Sequence, residues 1–395
     1  MTARIILRPR RARPFFGHHP WVYAGAIADV IGEPADGEVV DLYSHAGNFV
    51  ARGLYNSRSK IRVRLYTWSA EVALDAAFFR QRLERAFRLR HEVLGRAGPG
   101  RACRMVFSEG DGLSGLTVDQ YDRWLVVQFT ALGMAQRSDV LIPLLVELLQ
   151  PEGIYLRTER GIGQLEGLEL RDGPLWGQVP SEPVPIDEDG IRFLVHLGEG
   201  QKTGFYLDQH ANRCAVSRFA AGRRVLDAFC YTGGFGLHAA KAGAQAVVGV
   251  DGSAAAVELA QANRRLNGFE SLSFVHANVF DCLQALEGAG ERFGLIVLDP
   301  PKFARARNAV EEALRGYRRL QSLALRLLES EAILVTCCCS GLITTLMLED
   351  LLAQLAVEEG REIQILQRRG QASDHPVSVS CPETNYLKCL ISRVT

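Results

Sequence analysis

The sequence predicts an α/β chain whose C-terminal half is a parallel sheet covered by helices. A small β-barrel-like module and a compact α+β segment precede it. Three observations carry this reading. From about residue 190 the apolar runs RRVLDAFC, AQAVVGVD, LSFVHANVF, GLIVLDPP and AILVTCCC alternate with helical patterns, as strands buried on both faces do. Before residue 70, short alternating segments are separated by turn residues. A chain of 395 residues also exceeds what one hydrophobic core holds comfortably.

In chain order, EVVDLYS, NFVARGLY and IRVRLYTW read as strands, with turns at Pro34-Ala35-Asp36-Gly37 and His45-Ala46-Gly47-Asn48. In the third of these, Ile61, Val63 and Leu65 alternate with Arg62, Arg64 and Tyr66, which predicts a half-buried strand with a basic outer face. Residues 71–95 form a helix with Phe79, Leu83 and Phe87 opposite Arg80 and Arg88. Strands follow near 104–107, 115–119 and 124–130, then a helix over 135–149 and a strand near 153–157. The Pro/Gly-rich stretch 173–190 reads as a linker with a strand lead-in. EIQILQRRG and YLKCLISRV close the chain as an antiparallel pair. The expected domains are 1–70, 71–180 and 190–395.

Composition narrows the function classes. An apolar fraction of 47% with 23% charged residues describes a globular protein, not a disordered one. No apolar run approaches membrane-spanning length, and the N-terminal apolar stretch is too short for a signal-peptide core, so the expected location is the cytoplasm. Nine cysteines without a CxxC pair predict neither disulfides nor a metal. Net charge is zero, but residues 1–68 carry ten Arg/Lys against five Asp/Glu, an excess of five positive charges suited to a phosphate backbone.

Chemistry enters at the turn VLDAFCYTGGFGLHAA. Glycines at 233, 234 and 236 let backbone approach a ligand at a helix N-terminus, and Asp251 ends the next strand, where its carboxylate can accept both hydroxyls of a ribose. Gly234-x-Gly236-x-x-Ala239 also fits a dinucleotide fingerprint. Two later features favour a different nucleoside cofactor. Asn278 and Val279 follow the third strand, at an adenine edge. LDPPKF then closes the fourth strand with Asp299, Pro300, Pro301 and Lys302, and its proline carbonyls suit a substrate base. In AILVTCCCSGL, alternation puts Cys337 and Cys339 on one face and Cys338 on the other. Cys339 lies at the strand end before a helix, whose N-terminus would favour a thiolate. A thiolate adding to C6 of cytosine makes C5 nucleophilic enough to take a methyl group, with Asp299 as the acid near N3. Methylation of an amino group needs no cysteine, and both readings stand at this point. EGQKTGFYLDQHANR, with Lys202, Thr203, Phe205 and Asp208, is too polar and aromatic for a plain linker and reads as a cofactor lid.

Together QKTGFYLDQ, DAFCYTGGFG, LDPPKF, TCCCSGL and DHPV resemble the large-subunit rRNA cytosine-C5 methyltransferases that carry an N-terminal PUA domain. PFFGHHPWVYAGAI resembles the PUA opening, and SEGDGLSGLTVDQY the central domain of that family. The resemblance spans the chain and implies a class I (Rossmann-like) methyltransferase sheet, an RNA-binding PUA domain, S-adenosyl-L-methionine as cofactor and 23S rRNA as partner; the basic strand face adds Arg62 and Arg64 as expected substrate contacts. It leaves a homodimer open. It puts the catalytic cysteine on Cys339 and the cofactor contacts on Asp227, Phe229, Tyr231, Gly233, Asp251 and Asp299, with Lys202, Thr203, Phe205 and Asp208 from the preceding loop. The sequence departs from the family pattern at Asn278, where Asp is usual, and at His210, where Arg is more typical.

Overall fold

The computed structural model describes residues 2–200, 202–303 and 307–395. Two compact units emerge: the chain through Ile186 with Val195–Leu207 and Ser373–Thr384, and Asp187–Leu194 with Asp208–Ala372 and Asn385–Thr395.

The first unit opens on β1 (Ala3–Leu7), α1 (Arg13–Phe16), β2 (Trp21–Tyr23), β3 (Ile27–Ile31), β4 (Val39–Tyr43), β5 (Phe49–Tyr55) and β6 (Ile61–Thr67), a six-stranded sheet in the order β2-β6-β5-β4-β1-β3. Its core gathers Ile5, Leu7, Val22, Val40, Leu42, Val63 and Leu65. β4, β5 and β6 are the strands the sequence predicts. β1 to β3, of three to five residues, carry no clear alternation of apolar and polar residues. Helix α2 (Ala76–Arg88) starts where the Asp75 side chain accepts the Phe78 N–H, later than the apolar pattern suggests. Next come β7 (Ala102–Phe107), β8 (Leu116–Tyr121), β9 (Trp124–Phe129), α3 (Leu132–Ala135), α4 (Ser138–Leu149), β10 (Gly153–Leu156), α5 (Arg160–Glu166) and β11 (Gly173–Gly177). In the stretch expected to be a linker with a strand lead-in, the linker part holds the edge strand β11, and the strand is β12 (Val184–Glu188). GPLWG pairs antiparallel with β10, and the edge position tolerates Pro174.

The basic outer face expected on β6 is also corrected. Tyr66 is 1% exposed and donates its hydroxyl to the Ser114 carbonyl at 2.6 Å. Arg64 reaches Glu109 at 3.3 Å and Glu166 at 3.0 Å, with little exposure on any of the three side chains. Alternation gave the face correctly, but segment 108–166 covers it. Removing Arg64 would take the cation away from two largely buried carboxylates. Arg64→Ala should therefore destabilise the protein by about 3–5 kcal/mol, read as a fall in the urea midpoint; a change within measurement error would contradict this ion-pair assignment.

β12 and β13 (Ile191–Val195) make a two-stranded sheet. The second unit continues through α6 (His210–Ser217), β14 (Arg224–Ala228), α7 (Gly234–Lys241), β15 (Ala246–Asp251), α8 (Ala254–Asn267), β16 (Leu272–His276), α9 (Val279–Gly288), β17 (Phe293–Leu298), α10 (Val310–Leu327), β18 (Leu328–Cys338), α11 (Thr345–Glu358), β19 (Ile363–Arg369) and β20 (Lys388–Val394). Its seven-stranded sheet runs β16-β15-β14-β17-β18-β20-β19, parallel except for β20, which is antiparallel to both β18 and β19. The strand order reverses at β14, between β15 and β17, so a crevice opens at the carboxyl ends of those strands. Every residue of β17 is buried, and Leu226, Ile296, Leu298, Tyr317, Leu320, Leu334 and Leu351 are among the core side chains.

Candidate functional site

The carboxyl ends of β14, β15, β17 and β18 hold most of the predicted site residues. After β14 the backbone turns through Phe229 at φ 62° and Tyr231 at φ 49°, left-handed conformations that side chains other than glycine seldom adopt. Gly233 follows at φ 88°, where a Cβ would lie 2.4 Å from Cζ of Phe274, so only glycine fits. Asp251 holds this turn: one oxygen accepts the Tyr231 N–H at 2.8 Å and the other the Ser253 N–H at 2.8 Å. Each carboxylate oxygen keeps a second lone pair for a ligand hydroxyl.

Asp227 is fully buried. Its Oδ2 accepts the Gly236 N–H at 2.8 Å, and its Oδ1 has no hydrogen-bond partner among the described residues. Burial, with Asp299 and Asp251 nearby, pushes its carboxyl up to about 7. Between the ordinary value of 3.8 and about 7 the folded protein keeps a proton that the unfolded chain has lost. Stability from this group is complete below that window and falls as pH rises through it. Asp227→Asn should remove a slope of up to about 1.4 kcal/mol per pH unit from the unfolding free energy measured between pH ~4 and ~7. Identical slopes in both proteins would contradict the assignment.

Asn278 is exposed and caps α9, its Oδ1 accepting the N–H groups of Phe280 at 2.9 Å and Asp281 at 3.3 Å. With its oxygen engaged by two N–H groups of the helix, Asn278 has Nδ2 as the group able to face an adenine edge. Val279 is buried beside it.

β17 and β18 bring the remaining chemistry together. Their parallel register pairs Leu298 with Thr336, so Asp299 lies level with Cys337. Gln209 donates to Asp299 Oδ2 at 3.0 Å and receives Asn212 Nδ2 on its own oxygen at 2.7 Å. Cys337 and Cys338 are fully buried and Cys339 is half-buried. Hydrogen bonding to Cys389, then burial, raises the Cys337 thiol well above its ordinary value. The helix N-terminus expected beside Cys339 is displaced: α11 begins only at Thr345, after a turn in which the Ile343 N–H meets the Ser340 carbonyl at 3.3 Å.

The cation at this strand end is Lys388, which the sequence reading did not single out. It pairs with Cys338 across β18 and β20, and its Nζ donates to the carbonyls of Ser340 at 2.6 Å and Tyr386 at 3.0 Å. Burial lowers its ammonium below the usual lysine range, against the pull of the Cys338 and Cys339 sulfurs. Asp208 is buried and accepts the Tyr386 hydroxyl at 2.5 Å. Pro301 and Lys302 are exposed and Pro300 is buried.

The other predicted residues belong to the first unit. Thr203 is fully buried, with its hydroxyl donating to Asp119 and 3.0 Å from the Tyr121 hydroxyl; this corrects its expected role as a lid side chain. Phe205 is buried, and its N–H donates to Tyr121 at 3.2 Å. Lys202 is exposed and lies 4.2 Å from the Tyr206 ring centre. Arg62 donates to the Asn56 carbonyl at 3.2 Å.

A family model for S-adenosylmethionine-dependent methyltransferases matches residues 174–385, and one for the PUA-like domain matches residues 5–68. The chain is 40% identical to the Ribosomal RNA large subunit methyltransferase I of Aeromonas hydrophila subsp. hydrophila and 39% identical to that of Shewanella amazonensis, covering 100% of both chains each time. The chain belongs to this methyltransferase family. A putative SAM-dependent methyltransferase from Streptococcus mutans, 22% identical over 100% of both chains, shares its fold with a TM-score of 0.85.

The methyltransferase uses S-adenosylmethionine, and the β14–β15 turn fits that cofactor. The backbone has no Cβ at Gly233, the Asp251 oxygens have lone pairs to spare, and Asp227 presents a buried oxygen without a partner. Asp251 would hold the ribose, with Phe229, Tyr231 and Val279 around the rest of the nucleoside. Among the described residues no helix is long and apolar enough to cross a membrane.

Proposed function

We propose that this methyltransferase modifies C5 of a cytosine in 23S rRNA through a covalent bond between Cys339 and C6 of the base. The observation that carries the reading is the placement of Cys339. Of three consecutive cysteines it alone is partly exposed, and it stands at the carboxyl end of β18, one strand from Asp299. The relatives are named for ribosomal RNA of the large subunit, which supports the class of substrate.

S-adenosylmethionine, when bound, supplies an electrophilic methyl group on a sulfonium. The chain's residues prepare the base for it. Cys339 gives up its proton to solvent, with Lys388 as the cation that favours the thiolate. The sulfur forms a bond to C6, the C5–C6 double bond opens, and the Asp299 carboxyl, held by Gln209, donates a proton at N3. C5 of the resulting enamine takes the methyl group. Loss of the C5 proton to a base, return of the N3 proton to the Asp299 carboxylate and rupture of the S–C6 bond restore the ring and the thiolate. In this reading the chain comprises an RNA-binding PUA-like domain over 1–70, a central domain over 71–180 and the methyltransferase domain over 190–395. Arg62, Lys302 and the proline carbonyls are the RNA contacts.

The function is tested by mass-spectrometric mapping of 23S rRNA from a deletion strain. We expect one 5-methylcytidine to vanish and to return on complementation with the wild-type gene; an unchanged modification pattern would reject the substrate.

A further inference from the structure

A second cluster of metal-ligating groups lies outside the methyl-transfer site. His238 on α7 is 5% exposed. Its Nδ1 lies 2.9 Å from the Gly234 carbonyl, which accepts the ring proton there and leaves a lone pair on Nε2. Among the described residues that Nε2 is buried without a hydrogen-bond partner, and Glu188 Oε1, 3.5 Å away, also offers only lone pairs. Glu188 Oε1 already accepts Arg213 Nε at 2.7 Å, so the atom left unanswered in this buried space is Nε2, which calls for a donor or a cation of its own.

The atoms around Nε2 are the right ones for a soft divalent ion. Asp189, Cys214 and His238 each bring one ligand atom, and the three lie within 4.8 Å of one another. Zinc bonds of about 2.0 Å to nitrogen or oxygen and about 2.3 Å to sulfur require ligand separations of roughly 3.3–3.7 Å, within small side-chain adjustments of this arrangement. The backbone fixes each ligand independently. Asp189 sits at φ 54° in the turn joining β12 to β13, with its carbonyl held by Lys241 Nζ. Cys214 and His210 stand one turn apart on α6, and His210 Nε2 orients the Asp189 carboxylate at 2.7 Å. Charge also balances. Glu188 is neutralised by Arg213 through two hydrogen bonds of 2.7 Å, which leaves the Asp189 carboxylate and a Cys214 thiolate to offset a divalent cation.

We propose that Asp189, Cys214 and His238 form a zinc(II) site that ties the β12–β13 turn to helices α6 and α7. Binding displaces the Cys214 proton to solvent and forms a metal–thiolate bond, so uptake strengthens as pH rises. A second cluster in the first unit, His19, Cys381 and Glu383, differs in one respect. The Trp21 N–H donates to His19 Nδ1 at 3.2 Å, so the ring proton lies on Nε2, the nitrogen facing Glu383. It has no lone pair to give.

The test uses the full chain stripped of metal and titrated with cobalt(II) as a spectroscopic stand-in, then with zinc(II) in competition with a chromogenic chelator. We expect one equivalent bound, a thiolate-to-cobalt charge-transfer band, and protection of Cys214 from alkylation in the zinc form. Asp189 is exposed and Cys214 half-exposed, so Asp189→Ala and Cys214→Ser should fold. Cys214→Ser should abolish the band, Asp189→Ala should weaken zinc by at least about tenfold, and Cys381→Ser should change neither. Absence of stoichiometric uptake, or a band that survives Cys214→Ser, overturns the proposal. Should either variant fail to fold, protection of Cys214 by zinc in the wild-type chain decides, and its absence is equally fatal.

Discussion

Cys339→Ala is expected to bind S-adenosylmethionine as the wild-type enzyme does and to lose methyl transfer by on the order of a thousandfold or more. The asymmetry follows from the site's construction. The cofactor cradle is built from β14, β15 and the turns after them, whereas Cys339 stands beyond the end of β18, with β17 lying between that strand and β14. Without a sulfur nucleophile, C5 of cytosine keeps its aromatic electrons and has no means of attacking the methyl group. A half-buried side chain at a strand end leaves little cavity when truncated, so the fold should survive. Calorimetry with the cofactor and single-turnover methylation measure the two halves of this expectation. Equal losses in both would mean that Cys339 supports the fold and not the chemistry, and retained transfer would point to methylation of a nitrogen, which already carries a lone pair.

Asp251→Ala should produce the opposite pattern. Its carboxylate fixes the left-handed turn through the Tyr231 N–H and still has lone pairs to spare for the ribose. Two hydrogen bonds to a charged acceptor contribute about 1.5–3 kcal/mol each, so the cofactor dissociation constant should rise by about 10–100-fold even if water replaces part of the loss. Thiol chemistry at Cys339 should be untouched, which peptide-resolved alkylation can show. If Asp251→Ala binds S-adenosylmethionine normally, the turn after β14 is not the cofactor site.

The parallel sheet was legible because β14, β15, β17 and β18 are buried on both faces, so their apolar runs stand out without knowledge of neighbours. The glycine turn was legible for a similar reason, since residues that tolerate left-handed backbone are few. What covers a strand's second face is a different matter. Arg64 and Tyr66 alternate as an exposed face would, yet Glu109, Ser114 and Glu166, far along the chain, bury them. GPLWG looked like a linker because its proline and glycines break local patterns, and only pairing with β10 makes it a strand. Lys388 illustrates the same gap. A lysine at the start of KCLISRV reads as a solvated strand end, and its place beside the Cys339 turn depends on the pairing of β20 with β18. His238 lies on a helix face where histidine is usually a satisfied core residue; its unpartnered Nε2 comes from the burial of the α6–α7 contact.

The most direct test of the account is to incubate the enzyme and cofactor with substrate RNA carrying 5-fluorocytidine at the target position. Fluorine cannot leave C5 as a proton does, so a methylated adduct would remain attached to the nucleophile. The account predicts a protein–RNA species that survives denaturation, requires S-adenosylmethionine and maps to the peptide containing Cys339. An enzyme that methylates ordinary RNA yet leaves the fluorinated RNA free, or attaches it to a different residue, would contradict the covalent route.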